Sequence, residues 1–143
     1  MRDGHASNKV MIADDNTFIR FLVKKLLGPY AEVIEVARGD DVMAAYMEAR
    51  PDILFLDIHL PGKSGLAVIN EIAIKDPESY VVMMSADSMR DNVITAAKAG
   101  AKAFITKPFK RATLLKYFRL CPTIEMPEGA EEASTEETEK EEA

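Results

Sequence analysis

Apolar positions in this chain fall into short continuous runs separated by longer stretches in which they recur every three or four residues. Val10-Met11-Ile12-Ala13, Val33-Ile34-Glu35-Val36, Ile53-Leu54-Phe55-Leu56, Tyr80-Val81-Val82-Met83-Met84 and Ala103-Phe104-Ile105-Thr106 are the runs. Each is too short for a core helix and reads as a strand; Glu35 interrupts the second, while Ile53–Leu56, apolar at every position, reads as a strand buried on both faces, and Tyr80–Met84 is a further continuous run. Between them lie helical spacings. Phe18, Phe21, Leu22, Lys25 and Leu26 predict a first helix, capped by Asn16 or Thr17 and ended at Gly28-Pro29. Gly39 and Asp40 open a second through Met43, Ala44 and Met47, stopping before Pro51. Ser64 begins a third, striped by Leu66, Val68, Ile69 and Ile72 and running to Lys75. A fourth spans 90–99 and closes at Gly100, and a fifth spans 111–120. The methionines at 43, 47, 83 and 84 read as core filler.

Five strands alternating with five helices predict an α/β fold: a five-stranded parallel sheet, doubly wound, with helices on both faces and right-handed crossovers. The organising stretch is the third strand, because its apolar run ends on a carboxylate, Asp57, and Pro61-Gly62 then forces a turn. Open α/β sheets place ligands at the carboxyl ends of their strands. Strand one ends at Asp14-Asp15, strand four at Ser85 and strand five at Lys107. In a parallel sheet all of these share one edge, so three carboxylates, a hydroxyl and an ammonium converge from positions far apart in the chain.

Close carboxylates raise one another's pKa unless a cation sits among them. An oxygen-only set without Cys or clustered His suits a hard ion, Mg²⁺ above all, with Mn²⁺ as a substitute. Lys107 and the Ser85 hydroxyl would supply a cation and a donor to phosphoryl oxygens, and Asp57 is the nucleophile such a site would use to form an acyl phosphate.

Composition narrows the setting. The chain has 143 residues, enough for one domain with a real core, and one cysteine, Cys121, so no intrachain disulfide can form. No apolar run approaches the roughly 18 residues of a membrane span, and the first eight residues carry no apolar segment of the secretory kind, so cytoplasm is expected. The formal net charge of −6 is unevenly placed. Residues 121–143 carry nine Glu against Lys140, a net −8, which leaves +2 for residues 1–120. Such a Glu-rich segment cannot bury enough surface to offset the entropy of ordering. The expected division is a flexible arm over 1–8, a folded domain over 9–120 and a disordered acidic tail over 121–143. The tail would repel nucleic acid phosphates. Lys110, Arg111 and Lys116 form a basic cluster on the last helix, read as a solvated face that an acidic partner could use.

Four motifs in order resemble a known family: Asp14-Asp15 after strand one, Asp57-Ile58-His59-Leu60-Pro61-Gly62-Lys63-Ser64-Gly65, Ser85-Ala86, and Lys107-Pro108-Phe109 after Ala99-Gly100-Ala101. Over about residues 8–120 the chain resembles the receiver domains of two-component response regulators, in particular the single-domain chemotaxis type. The strand order 2-1-3-4-5 of the flavodoxin-like fold comes with that resemblance, whose best-known member is a standard example of it, and is not read from the pattern.

The resemblance implies that Asp57 accepts a phosphoryl group from a sensor histidine kinase or a phosphotransfer protein. It implies metal ligation by Asp15 and Asp57, by the backbone carbonyl of His59, and by Asp14 mostly through water. Ser85 and Lys107 would meet the phosphate, and Lys107-Pro108 would be cis. Phe104 matches the aromatic switch position, without the hydroxyl of the more usual Tyr; a permanently buried Phe104 is the competing expectation. His59 and Asp87 flank the site and would tune the lifetime of the phosphate; for His59 the favoured expectation is a solvated edge residue contributing only its carbonyl, and the competing one is an imidazole that makes the lifetime depend on pH near 6 to 7. A downstream effector would bind the face of helix four, strand five and helix five.

The function expected is a receiver without an output domain of its own, not an enzyme beyond its own phosphorylation and dephosphorylation, that switches binding to a partner protein. The alternatives are a phosphate shuttle in a phosphorelay, an Asp-nucleophile phosphatase, a flavin carrier and a constitutive binding module. The phosphatases resemble an Asp-x-Asp pattern after the first strand, whereas Asp57 is followed by Ile58 and His59. A flavin phosphate would be repelled by Asp14-Asp15. No nucleic acid and no membrane are expected as partners.

Overall fold

The computed structural model describes residues 8–87 and 89–126. Ten elements alternate: β1 (Lys9–Ala13), α1 (Thr17–Leu27), β2 (Glu32–Val36), α2 (Gly39–Ala49), β3 (Ile53–Asp57), α3 (Gly65–Lys75), β4 (Val81–Ser85), α4 (Arg90–Lys98), β5 (Ala103–Thr106) and α5 (Arg111–Leu120). All strand pairs are parallel and the order is β2-β1-β3-β4-β5. The doubly wound parallel α/β sheet expected from the alternation, and the flavodoxin-like strand order implied by the resemblance, are therefore those observed.

The period of two within each strand divides the core. Met11, Ala13, Leu54, Leu56, Val81 and Met83 face one layer with Val42, Tyr46, Val68, Ile69 and Ile72 of α2 and α3. Val10, Ile12, Ile53, Phe55, Val82 and Met84 face the other with Val23, Leu27, Leu114, Leu115 and Phe118 of α1 and α5. Every residue of β3 and β4 is buried, as expected for central strands covered on both faces. β4 runs to Ser85 because Ser85 pairs in register with Thr106 of β5.

Helix ends follow local chemistry. The Asn16 side chain accepts from the Ile19 N–H at 3.1 Å and the Ser64 hydroxyl from the Ala67 N–H at 3.2 Å, each satisfying a donor of a first turn. Gly100, at φ 110°, follows the C-cap of α4. α2 instead ends on a non-glycine residue in the left-handed region, Arg50 at φ 49° and ψ 62°, whose N–H donates to the Tyr46 carbonyl at 2.7 Å. Arg50→Gly removes that Cβ strain and loses only an exposed 4.0 Å pair with Asp76. We expect it to stabilise the domain by about 0.5–1 kcal/mol, read as a higher urea midpoint at constant slope.

Two helix faces differ from the expectation. In α1, Phe18 and Phe21 are 64% and 56% exposed, and the buried positions are Val23 and Leu27, with Ile19 and Leu26 packed at the edge. In α2, Val42 and Tyr46 are buried, while Met47 is exposed and lines an α2–α3 groove with Met43 and Ile74. Each helix carries two overlapping apolar stripes one residue apart, and neighbouring contacts choose between them. Arg20 is drawn to the Asp14 carbonyl and to Glu35, and the Tyr46 hydroxyl donates to Asp76 at 2.8 Å.

The expected boundaries at residues 8 and 121 also need correction. Asn8 is fully buried; its Nδ2 donates to the carbonyls of Tyr30 and Glu125, and its Oδ1 accepts from the Glu125 N–H. Thr123 donates to the Asp52 carboxylate at 2.6 Å, the buried Cys121 thiol meets the Asp52 carbonyl, and Ile124 and Met126 pack on the α1–α5 layer. Residues 121–126 thus belong to the folded body. Their apolar and hydrogen-bonding side chains find partners that the Glu content of the wider segment conceals. The expectations for residues 1–7 and 127–143 lie outside the described residues.

Candidate functional site

Four strand ends build the site. Hydrogen bonds across the sheet edge hold them level: the Asp14 N–H donates to the Val36 carbonyl, the Ile58 N–H to Met84 and the Lys107 N–H to Ser85. The β3–α3 turn closes tightly, with the Gly65 N–H donating to the Ile58 carbonyl at 2.7 Å. A Cβ on Gly65 would collide with the Asp57 carbonyl oxygen and the Ile58 Cα, so α3 can approach the end of β3 only because this residue has no side chain. Gly65→Ala should force the two apart. We expect a loss of about 2–3 kcal/mol in thermal or urea unfolding, with a slower reaction at Asp57.

Asp14, Asp15 and Asp57 each offer a carboxylate oxygen within 4.8 Å of the others. Asp14 is fully buried, Asp57 is 4% exposed and Asp15 faces solvent. Lys107 lies among them. Its ammonium contacts Asp14 Oδ2 at 2.5 Å and Asp57 Oδ2 at 3.4 Å. The Asn16 N–H donates to the other Asp14 oxygen at 2.9 Å, which fixes that carboxylate. Burial pushes the Asp57 carboxyl above its ordinary range and the Asp14 charge pushes it further, while Lys107 and the His59 N–H, 3.4 Å from Asp57 Oδ1, oppose them.

Ser85 is fully buried at the end of β4, and its hydroxyl accepts from the Asp87 N–H at 3.0 Å. His59 is largely exposed; its carbonyl accepts no hydrogen bond among the described residues, and its Nε2 lies 4.0 Å from an Asp87 carboxylate oxygen. The two flanking positions are thus neighbours across the mouth of the site. Phe104 is half-buried, packed against the α2–α3 side of the core and lining a surface groove of about 350 Å³ with Pro108, Phe109 and Tyr117. The Lys107-Pro108 bond is cis.

Asp14, Asp15, Asp57 and Lys107 come together at this edge, with Ser85, His59 and Asp87 beside them, whereas Phe104 lies inside β5, in register with Met83. Not anticipated were the Lys107–Asp14 pair, the Arg20 donation to the Asp14 carbonyl at 2.7 Å, and the closeness of Gly65 to Asp57. The first was available in principle, since three crowded carboxylates need a cation and Lys107 is the one that strand order brings to them. The donor set fits a hard divalent ion: oxygen atoms only, with one carboxylate open to solvent and, among the described residues, no hydrogen bond to the His59 carbonyl.

Comparison with known proteins agrees with this geometry. Residues 10–119 match the family model of the response regulator receiver domain. This chain belongs to that family. The receiver is 37% identical over 110 residues to the chemotaxis protein CheY of Listeria monocytogenes, covering 76% of this chain and 92% of that one. It superposes on the receiver domain of NtrX from Brucella abortus with a TM-score of 0.70 at 35% identity, covering 75% and 92% of the two chains. It also superposes on the BeF3-activated N-terminal receiver domain of RstA from Klebsiella pneumoniae with a TM-score of 0.74 at 28% identity, covering 80% and 97%. The receiver is thus a CheY-like component of two-component signalling rather than a conventional enzyme, with the acidic triad typical of a receiver Mg²⁺ site and an implied Asp phosphoacceptor. Membership implies a partner kinase and an effector. No helix among the described residues is long and apolar enough to cross a membrane.

Proposed function

We propose that this receiver is a phosphorylation-controlled switch acting in the cytoplasm, in which Asp57 takes a phosphoryl group from a histidine kinase or phosphotransfer protein and thereby changes the affinity of the domain for an effector protein. The observation that carries the reading is the buried Asp57 carboxylate beside Asp14, Asp15 and Lys107, one oxygen of each carboxylate within 4.8 Å of the others.

An Asp57 oxygen attacks phosphorus; the O–P bond forms as the N–P bond of the donor phosphohistidine breaks, and the imidazole leaves with its electron pair. Asp14, Asp15, Asp57 and the His59 carbonyl are the groups that would hold Mg²⁺ or Mn²⁺. When bound, the ion supplies positive charge to the transferring phosphoryl oxygens. Lys107 would release Asp14 and pair with the phosphoryl group, offering a charge-assisted hydrogen bond where charge accumulates. The Ser85 hydroxyl, which now accepts from Asp87, has its proton free to donate to another phosphoryl oxygen. Drawing Ser85 towards the phosphate would shift the end of β4 and open space for Phe104 to turn inward, so that the α4–β5–α5 face changes shape. His59 and Asp87, touching across the mouth, would set how readily water reaches the acyl phosphate.

Incubation of the full chain with Mg²⁺ and acetyl phosphate, followed by intact mass, tests the reading. One added phosphoryl group that disappears in Asp57→Asn, and that needs the divalent ion, is the expected result. A folded wild-type protein that takes up none under these conditions would overturn it.

A further inference from the structure

Charge is segregated along the sequence. Residues 1–87 hold nine basic and fourteen acidic residues, a net −5, whereas residues 88–120 hold eight basic residues against a single acid, Asp91, a net +7. In the first part most basic side chains are matched: Arg20 and Lys24 with Glu35, Arg38 with Asp40, Arg50 with Asp76 and Lys63 with Glu71. In the second, Arg90, Lys98, Lys102 and Lys116 are exposed and have no ion-pair partner among the described residues. Lys98 lies in the last turn of α4, Lys102 just before β5, and Lys116 in α5 with its ammonium 5.4 Å from the Tyr117 ring centre. Lys110 lines the groove formed with Phe104, Pro108, Phe109, Thr113 and Tyr117, between β5 and α5.

The complementary charge is in the same chain. Residues 127–143 hold eight Glu and one Lys, a net −7. Their point of departure is fixed, because the Asn8 clamp on Glu125, the Thr123–Asp52 bond and the packing of Ile124 and Met126 hold residues 121–126 at the amino end of the sheet, beside α5. Lys98, Lys102 and Lys116 lie towards that end of the α4–β5–α5 face. Seventeen residues extend to as much as about 55–60 Å, more than the width of a domain this size, so length does not limit the tail's reach along the face. Tethering also makes its local concentration of millimolar order, enough for a weak electrostatic contact to be populated.

We propose that residues 127–143 are an intramolecular ligand of the α4–β5–α5 face, lying along the Phe104–Tyr117 groove between Lys102, Lys116 and the basic start of α5. On the reading given under Proposed function, this face binds the effector. The tail then competes with it, favouring an acidic effector segment that can displace like with like, and raises the threshold for output.

A spin label reports this in the full chain. Cys121 is 2% exposed and burial raises its thiol pKa, so a nitroxide reagent will select Thr138→Cys. At low salt we expect paramagnetic broadening of the backbone amides of Lys102, Phe104 to Thr106, Phe109 and Tyr117. It should be lost at about 0.5 M NaCl, where the Debye length falls to a few ångströms. It should also be lost in Lys102→Glu/Lys116→Glu and in the tail variant Glu131→Gln/Glu132→Gln/Glu136→Gln/Glu137→Gln. Broadening confined to residues next to 126, centred on Lys25 and Lys75, or unchanged by the charge substitutions would overturn the proposal. Acetyl phosphate uptake is read by mass on the same samples, so failure of the tail contact and failure of Asp57 phosphorylation are seen separately.

Discussion

Asp57→Asn should do two opposite things: abolish phosphoryl uptake, and raise the melting temperature of the domain at pH 7 without divalent ions. The loss of uptake follows from removing the nucleophile. The gain in stability follows from the cost of keeping Asp57 ionised in a buried site next to Asp14. The folded-state pKa lies above the unfolded value of about 3.8, so the unfolded chain gives up its proton more readily. Below that value both states are protonated and the penalty is absent. As pH rises through the folded pKa the penalty grows, and it is complete above it. An amide stands in for the protonated acid, so wild type and variant should be equally stable near pH 3 and diverge on the way to neutrality. Lys107 already offsets part of the cost, which limits the gain to about 1–2 kcal/mol, or roughly 4–8 °C. Millimolar Mg²⁺ should stabilise the wild type more than the variant, because ions that bind only the folded state shift unfolding by mass action. Calorimetry at several pH values, with and without Mg²⁺, measures all three; a variant less stable than wild type at pH 7 would remove the electrostatic account.

The same crowding explains why the site was legible in the sequence. Buried parallel strands write themselves as continuous apolar runs, and the first polar residue after each run marks the functional edge, so Asp14, Asp57, Ser85 and Lys107 could be aligned without knowing how far apart they lie. Helix faces were less legible. Phe18/Phe21 and Val23/Leu27 fit the same period, and only contacts from outside the helix, such as Arg20 reaching back to the Asp14 carbonyl, choose which set turns inward. The segment 121–126 was hidden for a different reason. Composition averaged over residues 121–143 reports the Glu content, while folding there depends on four individual partners, Asn8 with Glu125 and Asp52 with Thr123. Gly65 illustrates a third limit: a glycine kept for closeness of backbone looks in sequence like one kept for a turn.

Lys107→Met should be the most damaging single substitution at the site. The side chain is 16% exposed and is the only cation within salt-bridge distance of either Asp14 or Asp57 among the described residues. Methionine keeps much of the aliphatic volume, so the change isolates the charge. Removing one member of a buried pair leaves the other uncompensated, which costs about 3–5 kcal/mol where the site cannot admit water; the partly open mouth at Asp15 places this case near about 3 kcal/mol. Two features separate this from a packing defect. The deficit should narrow as pH falls, since burial already pushes the Asp57 carboxyl above its ordinary range and a protonated Asp57 needs no cation, and it should close in part when Mg²⁺ is added at pH 7. In a double-mutant cycle Asp14→Asn/Lys107→Met should be more stable than Lys107→Met alone, giving a coupling energy of about 1–3 kcal/mol. Chemistry should suffer independently of stability: without an ammonium to meet the transferring group, uptake from acetyl phosphate is expected to slow by about 10²-fold or more. Urea unfolding at pH 7 and pH 4, with mass-detected phosphorylation kinetics on the folded variant, measures both. A Lys107→Met protein as stable as wild type at pH 7 without Mg²⁺ would mean that the carboxylates are not in fact relying on this lysine.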